Sequence, residues 1–126
     1  MSRILIVDDN PTNLKLVSYL VKSHGHGVAT ACDAATALDA ISSQRPTLIL
    51  MDLQLPGIDG LELTRRLKAD PKTRTIPIIA LTAYAMKGDL EKALAAGCDD
   101  YVTKPIDTRT LPEVIARHVA RVERGS

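Results

Sequence analysis

Short apolar runs, rich in β-branched residues, alternate along the chain with longer stretches in which apolar residues recur at helical spacing. The runs predict five strands, at Ile4–Val7, Val28–Ala31, Leu48–Met51, Ile78–Leu81 and Tyr101–Val102. The first, third and fourth runs are apolar at every position, which is typical of parallel strands covered on both faces. Five successive strand–helix units predict an open, doubly wound α/β sheet.

Capping residues and glycines set the predicted ends of the helices. Asn10 and Asp33 are placed to cap the first two helices, Gly60 to start the third, and Gly25 and Gly97 to end the first and fourth. Leu16, Val17, Leu20 and Val21 fall on one apolar face of the first helix, and Ala34, Leu38 and Ile41 form the inner face of the second. Leu63 and Leu67 lie one turn apart in the third helix, and Leu90 and Leu94 are predicted to point inward in the fourth (Lys87–Ala96). The fifth helix carries Leu111, Val114, Ile115, His118 and Val122 at helical spacing.

The fifth helix has two possible starts. If Asp107 caps it, Pro112 lies just past the first turn and a backbone hydrogen bond is lost. Either the first turn is distorted or the helix begins later, near Thr110. The helix is expected to reach about Arg121, so that residues 1–122 form one domain and residues 123–126 form a frayed, disordered tail.

Bulk properties narrow the class of protein. A chain of 126 residues is the length of one domain. Its 16 basic and 15 acidic residues give a net charge of +1, so the overall charge does not indicate binding to nucleic acid or to a membrane surface. No run approaches the roughly 20 apolar residues that span a bilayer, and no secretory signal precedes the first strand. Cys32 and Cys98 are interpreted as buried, reduced thiols of a cytoplasmic protein; a disulfide or a shared metal is the alternative.

Polar side chains follow four of the predicted strands at the point where each strand ends. Asp8 and Asp9 follow the first strand, Asp52 the third, Thr82 the fourth and Lys104 the fifth. The carboxyl ends of parallel strands lie at one edge of an open sheet, so these side chains are expected to meet there. Each also has a plainer interpretation, as a helix cap, a loop acid, a turn residue or a surface lysine. Their occurrence together and in order favours a chemical site.

Phosphoryl transfer is the chemistry that these residue types suit. Grouped carboxylates raise one another's pKa, and a divalent cation relieves the repulsion. Oxygen-only ligation suits Mg²⁺ (or Mn²⁺). Asp52 can then act as a nucleophile, Lys104 can balance the phosphoryl charge, and Thr82 can donate a hydrogen bond to a phosphoryl oxygen.

The sequence resembles the receiver domains of two-component response regulators over nearly its whole length. The matching motifs are ILIVDDN at 4–10, MDLQLPGIDG at 51–60, IALTA at 79–83 and GCDDYVTKP at 97–105. The stretch AYAMKGD at 83–89 is most similar to DivK-type single-domain regulators, and receivers of hybrid kinases share much of it. The resemblance implies a flavodoxin-like receiver fold with strand order 2-1-3-4-5 and five helices.

The resemblance also implies roles at the metal site. Asp52 matches the phosphoacceptor and a metal ligand, Asp9 a direct ligand, Asp8 a ligand that acts through water, and the backbone carbonyl of Gln54 the third protein ligand. Gln54 also stands where related phosphatases and phosphotransferases carry a general acid, which argues against a multiple-turnover enzyme.

Four residues match the parts that sense and transmit phosphorylation. Thr82 matches the switch hydroxyl, Lys104 the phosphate-pairing lysine, and the bond before Pro105 is expected to be cis. Tyr101 matches the aromatic switch residue, which fills the space that Thr82 leaves when it moves. The alternative is that Tyr101 is a half-buried strand residue whose hydroxyl contacts solvent. The fourth helix, fifth strand and fifth helix would then present an altered face.

The implied function is that of a switch rather than an enzyme. The chain is expected to accept a phosphoryl group from phosphohistidine on a histidine kinase or a histidine phosphotransfer protein, to hydrolyse it slowly, and to bind a downstream protein. Direct binding to DNA or a membrane is not expected, and the protein is expected to be a monomer or a phosphorylation-linked dimer. The alternatives are a receiver cut from a hybrid kinase, an Asp52-dependent phosphatase and a receiver that is never phosphorylated. Nucleotide binding is disfavoured, because neither GxGxxG nor GxxxxGK[ST] occurs.

Overall fold

A computed structural model describes residues 2–53, 60–82 and 87–125. Its elements are β1 (Arg3–Val7), α1 (Pro11–Ser23), β2 (Gly27–Ala31), α2 (Ala34–Ser43), β3 (Leu48–Asp52), α3 (Gly60–Ala69), β4 (Ile78–Thr82), α4 (Lys87–Ala96), β5 (Asp100–Thr103) and α5 (Thr110–Gly125). All paired strands are parallel, in the order β2-β1-β3-β4-β5. The predicted doubly wound α/β fold and its strand order are confirmed.

Alternate residues of the central strands build two aliphatic core layers, one on each face of the sheet. Leu5, Ile49 and Ile78 point into the layer covered by α2, α3 and α4, and their neighbours in the strands point into the layer covered by α1 and α5. Every residue of β3 and β4 is buried. Burial on both faces explains why these strands read as uninterrupted apolar runs.

Three leucines predicted to face the core are exposed instead. Leu16 in α1 is 49% exposed, Leu38 in α2 38% and Leu94 in α4 50%. In α2 and α4 the core position one residue earlier is occupied by an alanine, Ala37 or Ala93, with no exposed surface. A small side chain lets a helix approach the sheet closely, so the longer neighbouring leucine is turned to the flank.

The start of α5 resolves the position of Pro112. Asp107 Oδ1 accepts hydrogen bonds from the backbone N–H groups of Arg109 (2.7 Å) and Thr110 (3.3 Å), and the helix begins at Thr110. Pro112 therefore lies in the first turn, where its missing N–H has no partner inside the helix to lose. The helix continues to Gly125, so the predicted tail at 123–126 is helical through residue 125.

The two cysteines differ, which corrects the prediction that both are buried. Cys98 is buried against Thr64, and Cys32, which follows the end of β2, is exposed. Both thiols are free. Burial raises the pKa of Cys98, which lowers its nucleophilic thiolate fraction.

Thiol labelling of the native protein is expected to modify Cys32 alone. Iodoacetamide at neutral pH should add one group quickly, and a second group should appear only after unfolding in guanidinium, which can be followed by intact mass. A Cys32→Ser variant should resist labelling until it unfolds. Equal labelling rates for the two thiols in the native protein would contradict the burial of Cys98.

Candidate functional site

The sheet places the predicted site residues at its carboxyl edge. Asp52 and Thr82 end β3 and β4, and Asp8 and Lys104 directly follow β1 and β5. Backbone hydrogen bonds continue the ladder past the strands: the N–H of Asp8 donates to Ala31 O (3.0 Å) and that of Lys104 to Thr82 O (2.8 Å). The backbone of each site residue is thereby fixed by a neighbouring strand.

A lysine amine faces two buried carboxylates at this edge. Lys104 Nζ lies 3.3 Å from Asp52 Oδ2 and 3.8 Å from Asp8 Oδ2. Asp8 and Asp52 are 1% and 3% exposed, and the lysine side chain is 19% exposed. The bond between Lys104 and Pro105 is cis, as the resemblance implies. The amine therefore partly neutralises a pair of acids that burial would otherwise disfavour.

Three carboxylates converge beside this amine. Asp8, Asp9 and Asp52 each offer one oxygen, and these oxygens lie within 4.8 Å of one another, with Asp9 exposed to solvent. Burial raises the pKa of Asp8, and the charge of Asp52 adds to the effect, which the N–H of Asn10 and the amine of Lys104 oppose. The cluster is thus a set of acids held under electrostatic repulsion.

The donor set fits a hard divalent cation. Asp8 Oδ1 accepts the N–H of Asn10 (2.9 Å), but among the residues described here its buried Oδ2 has no hydrogen-bond donor. A cation bound between the three acids would satisfy that oxygen, and ligation by oxygen atoms alone suits Mg²⁺. Gln54, the other predicted ligand, lies outside the described residues.

Replacing Asp8 by asparagine is expected to have opposite effects with and without metal. Asparagine keeps an acceptor for the N–H of Asn10 and removes a buried negative charge beside Asp52, so the metal-free protein should gain on the order of 1 kcal/mol of unfolding free energy. The stabilisation that Mg²⁺ gives the wild type should largely disappear.

Thermal melts in EDTA and across a MgCl₂ titration measure both effects of Asp8→Asn. Asp39→Asn, which removes an exposed acid from α2, is the matched control and should keep the wild-type response to Mg²⁺. A variant at Asp8 that still gains the full Mg²⁺-dependent shift in melting temperature would rule out this carboxylate as part of the metal site.

The two predicted switch residues lie on one face of the sheet. Thr82 is buried (3% exposed), whereas Tyr101 is 38% exposed. Tyr101 is paired with Ala80 and Thr103 with Thr82, so all four side chains point to the same side. The ring of Tyr101 thus lies at the surface next to a small residue, two positions from Thr82. Ala83 and Tyr84, which follow Thr82 in the matching motifs, lie outside the described residues.

Gly60 contacts the backbone of the site residue Asp52, a role that the sequence did not reveal. A Cβ placed on Gly60 would lie 2.3 Å from Asp52 O and 2.7 Å from Leu53 Cα. The N–H of Gly60 donates to Leu53 O (3.3 Å). The first residue of α3 therefore packs directly on the end of β3, where only glycine fits.

Two polar pairs around β5 were also missed. Lys68 Nζ, at the end of α3, donates to Asp99 Oδ2 (2.8 Å) and to Ile76 O (2.9 Å). His118, 4% exposed in α5, has Nε2 3.0 Å from Asp100 Oδ2. The charges and spacing of these residues gave no signal, because each pair joins segments far apart in sequence.

Asp100 connects β5 to α5. Its Oδ2 meets His118, and its Oδ1 accepts the N–H of Tyr101 (2.8 Å). Burial raises the pKa of Asp100, but the hydrogen bonds from His118 and from the N–H of Tyr101 outweigh it, so the pKa is lower than usual. The carboxylate therefore stays ionised between the strand and the helix.

Known proteins share both the sequence pattern and the fold. Residues 4–116 match the family model of the response regulator receiver domain. The chain is 43% identical over 116 residues to the polar-differentiation response regulator DivK of Brucella anthropi, covering 92% of this chain and 94% of the relative. DivK of Brucella abortus strain 2308 is 42% identical over the same coverage.

Two crystal structures are similar throughout. The CheY-like response regulator receiver domain protein from Methanospirillum hungatei superposes with a TM-score of 0.91 at 30% identity, covering 100% of this chain and 99% of that chain. The receiver domain of the sensor histidine kinase PA1611 from Pseudomonas aeruginosa has a TM-score of 0.87 at 39% identity, with coverage of 94% and 98%. That structure has a magnesium ion coordinated in its active-site cleft.

These similarities establish the class of protein. The chain belongs to the response regulator receiver domain family of two-component signalling. Within that family it is of the DivK type. In the part of the chain that the structure covers, no helix combines the length and the apolar content needed to cross a bilayer.

Proposed function

We propose that the chain is a DivK-type single-domain response regulator that accepts a phosphoryl group on Asp52 from a phosphohistidine of a histidine kinase or a histidine phosphotransfer protein. The observation that carries the proposal is the approach of Lys104 Nζ to Asp52 Oδ2 at 3.3 Å beside the carboxylates of Asp8 and Asp9. Nucleophile, counter-charge and cation ligands are thereby gathered at one edge of the sheet, as phosphoryl transfer requires.

The transfer exchanges one bond to phosphorus for another. An Asp52 carboxylate oxygen attacks the phosphorus while the P–N bond to the donor imidazole breaks, and its electron pair returns to the ring nitrogen. Lys104 neutralises charge on the transferred group, and Thr82, at the end of the neighbouring strand, donates its hydroxyl to a phosphoryl oxygen. A divalent cation bound by Asp8, Asp9 and Asp52 would add Lewis-acid charge neutralisation.

In this proposal the signal leaves through the face made by α4, β5 and α5. Thr82 moves toward the phosphoryl group and Tyr101 turns inward to occupy the space. Two features support this sequence of events. Tyr101 is partly exposed in this structure, and its partner on β4 is Ala80, whose small side chain leaves room on that face of the sheet. A downstream protein partner would read the altered face.

In the proposed role the protein neither turns over substrates nor binds DNA or membranes. Its chemistry is limited to self-phosphorylation from a donor and slow hydrolysis, so it is a switch and not a turnover enzyme. It works in the cytoplasm, where it meets its kinase, and contacts proteins rather than DNA or membrane. A receiver of a hybrid kinase is the second candidate, favoured by the 39% identity to the receiver domain of PA1611.

Incubation with acetyl phosphate and Mg²⁺ tests the proposed chemistry. Intact mass should increase by one phosphoryl group, EDTA should prevent the increase, and mild base should reverse it, as expected of an acyl phosphate. An unchanged mass, or an increase that does not need metal, would count against the proposal. Sustained hydrolysis of p-nitrophenyl phosphate would support a phosphatase instead.

A further inference from the structure

A cavity of about 540 Å³ lies at the opposite edge of the sheet from Asp52. Its lining residues come from the loops that lead into β3, β4 and β5 and from α5. Its polar lining residues are Arg45, Thr47, Thr75, Asp99, His118 and Arg121. The volume lies within the roughly 300–1,000 Å³ of small-molecule sites. The receiver chemistry described above uses none of these residues.

The polar side chains of this lining are mostly hydrogen-bond donors, and Pro46, Ile76, Pro77 and Val122 supply its apolar part. Arg45 Nη2 donates to Thr75 Oγ1 (2.7 Å) and Nη1 to the carbonyl of Lys72, which leaves other N–H groups of the guanidinium available. Thr47 Oγ1 accepts the N–H of Arg3 (3.1 Å). A hydroxyl that accepts a hydrogen bond keeps its own proton to donate, so Thr47 and Thr75 both remain donors.

Negative charge in the cavity is already neutralised. Asp99 is the one carboxylate among the described lining residues, and its Oδ2 accepts both Lys68 Nζ and the N–H of Ile78, each at 2.8 Å. Within the described residues, no carboxylate lies within 4.0 Å of the guanidinium of Arg45 or Arg121. Among the residues that the structure describes, two arginines without an ion partner therefore line the same concave site.

We propose that this cavity binds a small phosphate-bearing metabolite with more than one negative charge. Guanidinium groups match phosphate oxygens in a bidentate geometry, and the hydroxyls of Thr47 and Thr75 add neutral donors. The two arginines come from different elements, the α2–β3 loop and α5, so a ligand held by both would join the loop to the helix. The site does not depend on phosphorylation of Asp52.

Titration of the ¹⁵N-labelled full chain with sodium pyrophosphate tests the proposal, in EDTA and at constant ionic strength. Amide shifts should saturate at Thr47, Thr75 and His118 and should be small at Thr82 and Lys104. Arg121→Gln and Arg45→Gln should each weaken binding about tenfold, the size expected for one charge-assisted hydrogen-bonding group. A parallel citrate titration should bind more weakly.

Matched variants separate a built site from general attraction to positive charge. Arg45 also holds its loop, so Arg121→Gln is the decisive variant, since Arg121 makes no side-chain hydrogen bond within the described residues. Arg117→Gln removes the same charge from an exposed position on the same helix and should change affinity less than twofold. Equal losses in Arg117→Gln and Arg121→Gln, shifts centred on Lys104, or tighter binding of citrate would each overturn the proposal.

Discussion

Asp52→Asn is expected to abolish phosphoryl uptake from acetyl phosphate while the protein stays folded. An amide oxygen carries no full negative charge and cannot form the acyl phosphate. The side chains are nearly the same size, so a residue that is 3% exposed at the end of β3 can be exchanged without leaving a cavity. Intact mass after incubation with donor and Mg²⁺ measures uptake, and a thermal melt verifies folding.

The exposed acid Asp39 again provides the matched control. Asp39→Asn removes the same charge from an exposed position in the middle of α2 and should be phosphorylated to the wild-type extent. Phosphoryl uptake that persists in Asp52→Asn would move the acceptor to another residue. Loss of uptake in both variants would show that the assay reports net charge rather than the site.

Gly60→Ala is expected to destabilise the protein by about 1–3 kcal/mol, the usual cost of overpacking a well-filled position. Alanine is the better helix former by about 1 kcal/mol, so helix propensity alone predicts the opposite sign. The new Cβ would lie 2.3 Å from Asp52 O, and the clash is with backbone, which cannot rotate away. Either α3 or the end of β3 must shift, so phosphoryl uptake should also slow.

Gly25→Ala offers a comparison in which the same substitution meets open space. Gly25 has φ +87° and no heavy atom within 4 Å of a Cβ, so its cost is backbone strain of about 1–2 kcal/mol alone. Urea unfolding should show both variants destabilised, but only Gly60→Ala should be phosphorylated more slowly. A Gly60→Ala protein as stable and as reactive as the wild type would contradict the close packing of α3 on β3.

Local patterns in the sequence were sufficient to predict the strands, whereas their order in the sheet was implied by the family resemblance. Strands β3 and β4 are covered on both faces, so their apolar runs alone located them to within one residue. The facing of the helices was harder to predict. Helical spacing is compatible with several rotations of a helix about its axis. In the folded protein Ala37 and Ala93 are buried against the sheet, and Leu38 and Leu94 are exposed. The rotation of each helix depends on how closely it approaches the sheet. That distance is set by the helix and the sheet together, so it cannot be read from the sequence of the helix alone.

The same limit applies to the candidate site. Asp8, Asp52 and Lys104 each lie at the carboxyl end of a parallel strand, so their convergence at one edge of the sheet was predictable. The pairing of His118 with Asp100 was not, because it depends on the position of α5 across the sheet. A histidine on an apolar helix face reads as a core residue until its partner is known.

Asp100 has a mechanical consequence for the surface beside it. One carboxylate oxygen accepts the backbone N–H of Tyr101 and the other is hydrogen-bonded to His118, so this side chain links β5 to α5. If β5 is displaced at Asp100, either α5 moves with it or the hydrogen bond between Asp100 and His118 breaks. A binding protein that touches only the outer side of α5 can therefore sense the strand beneath it without ever reaching it.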